Sequence, residues 1–102
     1  MIIADIGKFS ALQGYVIDII QKKTIELVLK NRHNLDEIFA LYSEKDIDRA
    51  IELGIRRAGD KVFVQTSGDM GRILRSLEFG TGKTKALHIL TLAARKVIGG
   101  RV

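Results

Sequence analysis

The sequence predicts an α+β fold: two similar ββα motifs in tandem, their antiparallel sheet covered by helices on one side. Three observations point there. Residues 15–30 and 61–79 each alternate with the period of a strand. Each stretch is interrupted by a short polar or glycine-containing break of the kind that turns a hairpin. Each is then followed by apolar residues at helical spacing. A lone hairpin cannot bury its apolar face. Two joined hairpins would let both helices cover one side of a shared sheet, within one domain of 102 residues whose halves span about 15–58 and 61–98.

In the first hairpin, Tyr15, Ile17 and Ile19 alternate with Val16, Asp18 and Ile20, giving a strand over 15–20. After the polar break Gln21-Lys22-Lys23, Ile25, Leu27 and Leu29 mark a second strand over 24–30. The rival is an amphipathic helix over 9–22, with Phe9, Leu12, Val16 and Ile20 on one face; Gly14 in its middle counts against it. Strand character also reaches back toward Ile2 or Lys8. Asn34, with Glu37 three residues on, is the expected N-cap of a short helix over 35–42. Ser43 caps the next, where Ile47, Ala50, Ile51, Gly54 and Ala58 form the buried stripe, Glu52 and Arg56 pair on the wet side, and Gly59 ends the helix.

The order then recurs. Lys61-Val62-Phe63-Val64-Gln65-Thr66 alternates as a strand, and residues 67–71 read as a turn. Residues 72–79 alternate again, with Ile73, Leu77 and Phe79 on one side. Met70, Ile73, Leu74 and Leu77 also satisfy helical spacing; the strand is preferred because Gly68 and Gly71 bracket a hairpin turn. A helix over 85–100 follows, with Leu87, Leu90, Ala94 and Val97 on its apolar face and Gly99-Gly100 at its end.

Composition bounds the chemistry. There is no Cys, which removes disulfides and thiolate–metal sites. No apolar run approaches membrane-spanning length, and the first residues lack the pattern of a secretory signal. The expected location is therefore inside a cell or in a virion, neither in a membrane nor secreted. The net charge is +5, all of it from the second half: residues 52–102 hold ten Lys and Arg against four Asp and Glu. Such asymmetry points to an anionic partner. Arg72, Arg75, Lys83 and Lys85 are the candidate partner-binding residues, with Arg72 and Arg75 on opposite sides of one strand. Arg56-Arg57 and Arg95-Lys96 suit the ends of the two long helices, where cations complement the helix dipole.

The string Gly80-Thr81-Gly82-Lys83-Thr84 ends like a phosphate-binding loop, in which glycines let backbone N–H groups wrap phosphate. The first glycine of that motif would stand at Leu77, and no Asp or Glu follows to hold magnesium. A Gly-rich turn entering a helix, with Thr81 or Thr84 as cap, is the preferred reading. His33 and His88 have no second ligand at metal-like spacing, no serine has a nucleophile setting, and the paired acids at Asp36-Glu37 and Asp46/Asp48 belong to helix starts. No catalytic residue, metal or cofactor is expected.

The segment Leu77-Glu78-Phe79-Gly80-Thr81-Gly82-Lys83-Thr84-Lys85-Ala86, followed by a helix, resembles the E-F-G-T segment near the C-terminus of the phage tail-completion (minor tail component) family. The upstream run "AIELGIRRAGDKV" is similar to the helix that opens the conserved part of that family. The resemblance implies a viral, non-enzymatic virion part that works through protein contacts, with Glu78, Phe79, Gly80 and Thr81 as a structural loop. The family's segment is followed by prolines, which this chain lacks. Together these observations predict a non-enzymatic protein–protein interaction or structural module. It would bind a peptide, another subunit or itself at the groove or sheet edge between the two halves. The alternative is a nucleic-acid-binding protein using the basic C-terminal half.

Overall fold

The computed structural model of the chain describes residues 1–5 and 13–99. Within them the fold is mixed α and β. Strand β1 (Ile2–Asp5) is followed by helix α1 (Gln13–Lys30), a 3-10 turn (Arg32–Asn34), α2 (Asp36–Leu41) and α3 (Glu44–Gly54). Strands β2 (Ile55–Ala58) and β3 (Lys61–Val64) come next, then α4 (Gly68–Phe79) and α5 (Ile89–Gly99). The antiparallel sheet has the order β1-β3-β2. The elements thus do not run hairpin–helix twice, and the two ββα halves are not found.

The first expected hairpin is one continuous helix, α1. Val16, Ile20, Thr24, Leu27 and Val28 are its buried residues, at spacings that close on one side of a helix. Thr24, mid-helix and fully buried, turns its hydroxyl back onto the Ile20 carbonyl at 2.7 Å, so its polar atom is satisfied. In a run this rich in apolar residues a period of two is met by coincidence. The rival helix agrees with α1 over 13–22; its first residues, with Lys8, lie outside the described residues.

The expected cap at Asn34 is also absent: Asn34 lies in the 3-10 turn beside His33, and α2 starts without a side-chain cap. Ser43 does cap α3, its Oγ accepting from the Asp46 N–H at 3.1 Å. Ile47, Ala50, Ile51 and Gly54 are buried as expected. The helix stops at Gly54 rather than at Gly59, and Ala58 lies in strand β2, not on the stripe. Gly54 is pressed on α4, where an added Cβ would stand 2.3 Å from Leu74 Cδ1. Gly59 is instead the corner of the two-residue β2–β3 turn, with φ 64°. Arg56 consequently points from a strand and bonds Gln65, not Glu52.

Strand β3 forms where expected, but residues 67–79 are not a turn and a strand. They form α4, with Ile73, Leu74 and Leu77 buried. Gly68 has φ 72°, as the chain swings into the helix. Gly71 serves a close approach: an added Cβ would meet the Thr66 carbonyl carbon at 2.2 Å. The core unites Ile20, Leu35, Ile38, Ile47, Ile51, Ile55, Val62, Val64, Leu74, Leu77, Ile89 and Leu90 from every layer. No helix among the described residues is long and apolar enough to cross a membrane.

Gly71 supplies a test with a reversed sign. At an open helix position, Gly→Ala stabilises by roughly 1 kcal/mol. Gly71→Ala is expected to destabilise by about 2 kcal/mol, because rigid Thr66 backbone must give way. Urea unfolding measures the difference, and a stabilised variant would refute the contact.

Candidate functional site

The candidate residues gather where α4 passes into α5. Gly80 ends α4 with φ 79°, and an added Cβ there would stand 2.3 Å from the Thr84 carbonyl oxygen. The chain then folds into a compact turn. The Thr81 N–H donates to the Thr84 carbonyl at 2.9 Å, while Thr81 Oγ1 accepts from the N–H groups of Lys83 (3.3 Å) and Thr84 (3.0 Å). Thr84 is buried against this turn. Neither Thr81 nor Thr84 caps α5, which starts only at Ile89.

A carboxylate from the preceding helix supplies the cap. Glu78 is 3% exposed, and its Oε1 accepts from the Thr91 N–H at 3.1 Å. Its Oε2 takes the Thr91 hydroxyl and lies 3.4 Å from His88 Nδ1. The Glu78 carbonyl accepts from the His88 N–H at 3.0 Å, locking the two helix ends together. His88, within the helix expected over 85–100, lies in front of α5 instead, with φ 51°. Its ring stands edge-on to Phe79, centroids 6.2 Å apart at 89°. Each residue of Glu78-Phe79-Gly80-Thr81 thus has an identified place in the joint.

The cations follow from this geometry. Arg72 and Arg75 are exposed and three residues apart on a helix, so they share a face with half-exposed Phe79. That corrects their expected placement on opposite sides of a strand. Lys83 and Lys85 are exposed on the joint, and Arg95 and Lys96 on the outward face of α5 beside Leu92. Between Met70 and Gly99 the sequence has one acid, Glu78, and it is turned inward. None of these six cations forms an ion pair within 4.0 Å among the described residues.

The opposite charge collects on α3. Glu44, Asp48 and Glu52 recur every four residues, and the pKa of Asp48 is raised by partial burial first and by Glu44 and Glu52 next. At the outer edge of β2, a candidate for strand addition, the first residue, Ile55, is already occupied. Gln21 Nε2 donates to the carbonyls of Glu52 and Ile55, both at 2.9 Å, and the Ile55 N–H closes α3 on Ile51. With the ββα halves absent, the groove expected between them does not form. No group of three or more His, Cys, Asp or Glu able to hold a metal occurs among the described residues.

No known protein family, curated protein or solved structure matches the chain.

Glu78→Ala leaves the first turn of α5 without its acceptor and is expected to lower stability by about 2 kcal/mol. Glu78→Gln, which keeps an acceptor, should lose about half as much. Chemical denaturation of the two variants tests the cap; a Glu78→Gln variant as stable as the native chain would refute a charge-assisted bond.

Proposed function

We propose that the chain is a non-catalytic nucleic-acid-binding protein whose contact surface is the basic corner built by α4, residues 80–88 and α5. One observation carries this reading. Six exposed cations (Arg72, Arg75, Lys83, Lys85, Arg95 and Lys96) lie in a segment whose single acid is buried and spent on a helix cap. An uncompensated field of this kind attracts phosphate backbones and speeds encounter. Arg72 and Arg75 offer planar donors to phosphate oxygens, and Lys83 and Lys85 act as point charges on a tight turn. Phe79, 54% exposed, adds an apolar ring at the corner for an unstacked base. The acidic row on α3 repels a polyanion and so favours one orientation of approach. The likeness of residues 78–81 to the phage tail-completion family supports protein contact instead, but adds no ligand-binding group.

Fluorescence anisotropy with a labelled oligonucleotide at several salt concentrations tests the reading. Binding should weaken as salt rises, with log K linear in log salt. Lys83→Ala/Lys85→Ala should flatten that slope by about 2, one counterion for each lost phosphate contact. Lys45→Ala on α3 should leave it unchanged. A chain that binds neither single-stranded nor duplex oligonucleotide at low salt would refute the proposal.

A further inference from the structure

Helix α1 carries a second surface that the basic corner does not use. Its outward residues Tyr15, Ile19, Lys22, Glu26 and Leu29 recur at alternating spacings of four and three, the seam pattern of a two-helix coiled coil. All five are exposed, and the three apolar ones strongly so: Tyr15 68%, Ile19 45% and Leu29 49%. Such a row on one 18-residue helix is an apolar strip with a charged centre.

We infer that α1 pairs antiparallel with α1 of a second copy of this chain, about a two-fold axis level with Thr24. The charges argue for this occupant and this register. In that arrangement Ile19 meets Leu29 of the second copy, and Lys22 meets Glu26 of the second copy. Symmetry repeats both pairs, so two apolar layers flank two ion-paired layers. A parallel pair would set Lys22 against Lys22 and Glu26 against Glu26. Sliding the antiparallel copies by one heptad sets Lys22 against Ile19 and Glu26 against Tyr15, or Glu26 against Leu29. In the register centred at Thr24, Ile19, Lys22, Glu26 and Leu29 each meet a suitable partner, and Tyr15 lies beyond these four layers at each end. In the single chain Glu26 already pairs with Lys23, at 3.3 Å, so its carboxylate is held at the helix surface. The inference is independent of nucleic-acid binding.

One helix per partner is a small interface, so dissociation is expected in the range of about 10 to 500 µM. Sedimentation equilibrium of the full chain, without nucleic acid, from about 10 µM to about 1 mM covers that range. The mass should rise from 11.4 kDa toward twice that value. Lys22→Glu and Glu26→Lys each place like charges in two layers and should weaken association about tenfold. The double variant Lys22→Glu/Glu26→Lys restores the match and should return association to within about threefold of the original. Circular dichroism on each variant checks that these exposed changes leave the helices intact. A chain that stays monomeric throughout, leaving the strip to another protein, overturns the inference. So do single variants that associate unchanged, or a double variant that is not rescued.

Discussion

The packing of α1 along α5 is the constraint on which the other elements depend. Neither helix has much reason to form alone. α1 is dense in Val, Ile and Thr, which lose χ1 freedom in a helix, and α5 has only 11 residues. Each gains its helical state by burial: α1 through Val16, Ile20, Thr24, Leu27 and Val28, and α5 through Ile89, Leu90, Ala93 and Ala94. The two alanines keep that face of α5 low, so a neighbouring backbone can come close. Strand β1 also lies against α5. The N-terminal Met1 exchanges backbone hydrogen bonds with Val64, so the chain's two halves are tied through sheet and helices together.

That packing demands a rigid delivery of α5, and Glu78 provides it. A carboxylate at a helix N-terminus is favoured by the dipole and by the unsatisfied N–H groups there. Here it comes from the end of α4 and so fixes the corner as well as the cap. The same bond has an electrostatic consequence. It turns the segment's one acid inward, so no carboxylate there ion-pairs with Arg72, Arg75, Lys83, Lys85, Arg95 or Lys96 at the surface. The structural solution at the joint produces the charge imbalance from which the functional reading starts.

The α+β class, strand β3, the Ser43 cap and, on the apolar face of α5, Leu90 and Ala94 were legible in the sequence, because each rests on a local signal. Where the reading failed, a non-local contact decided. Apolar residues in 15–30 fit both periods, and only the length of the run, longer than most strands, separated them. Backbone freedom does not account for Gly71, which the close Thr66 backbone explains; Gly59 is the corner of a hairpin, for which Gly-Asp between two strand-like runs is the signal, and not a helix stop. The four cations were identifiable by composition. Their grouping was not, since Arg72 and Arg75 share a side only if residues 68–79 are helical. The role of Glu78 was hidden because Thr91 lies 13 residues further on.

The Gly-Thr-Gly-Lys-Thr string shows why a short motif reports backbone shape before it reports a ligand. A phosphate loop needs free N–H groups converging on empty space between a strand and a helix. Here the string joins two helices, and the N–H groups of Thr81, Lys83 and Thr84 are spent within it, on the Thr84 carbonyl and the Thr81 hydroxyl. Glycine and threonine are present for the left-handed exit from α4 and for the closure of the turn. What remains for an anion is the pair of lysine charges, held on a turn that cannot rearrange without breaking those bonds. Such a pair of charges cannot enclose a phosphate; the proposed contact with a continuous backbone needs no enclosure, whereas capture of a single nucleotide does.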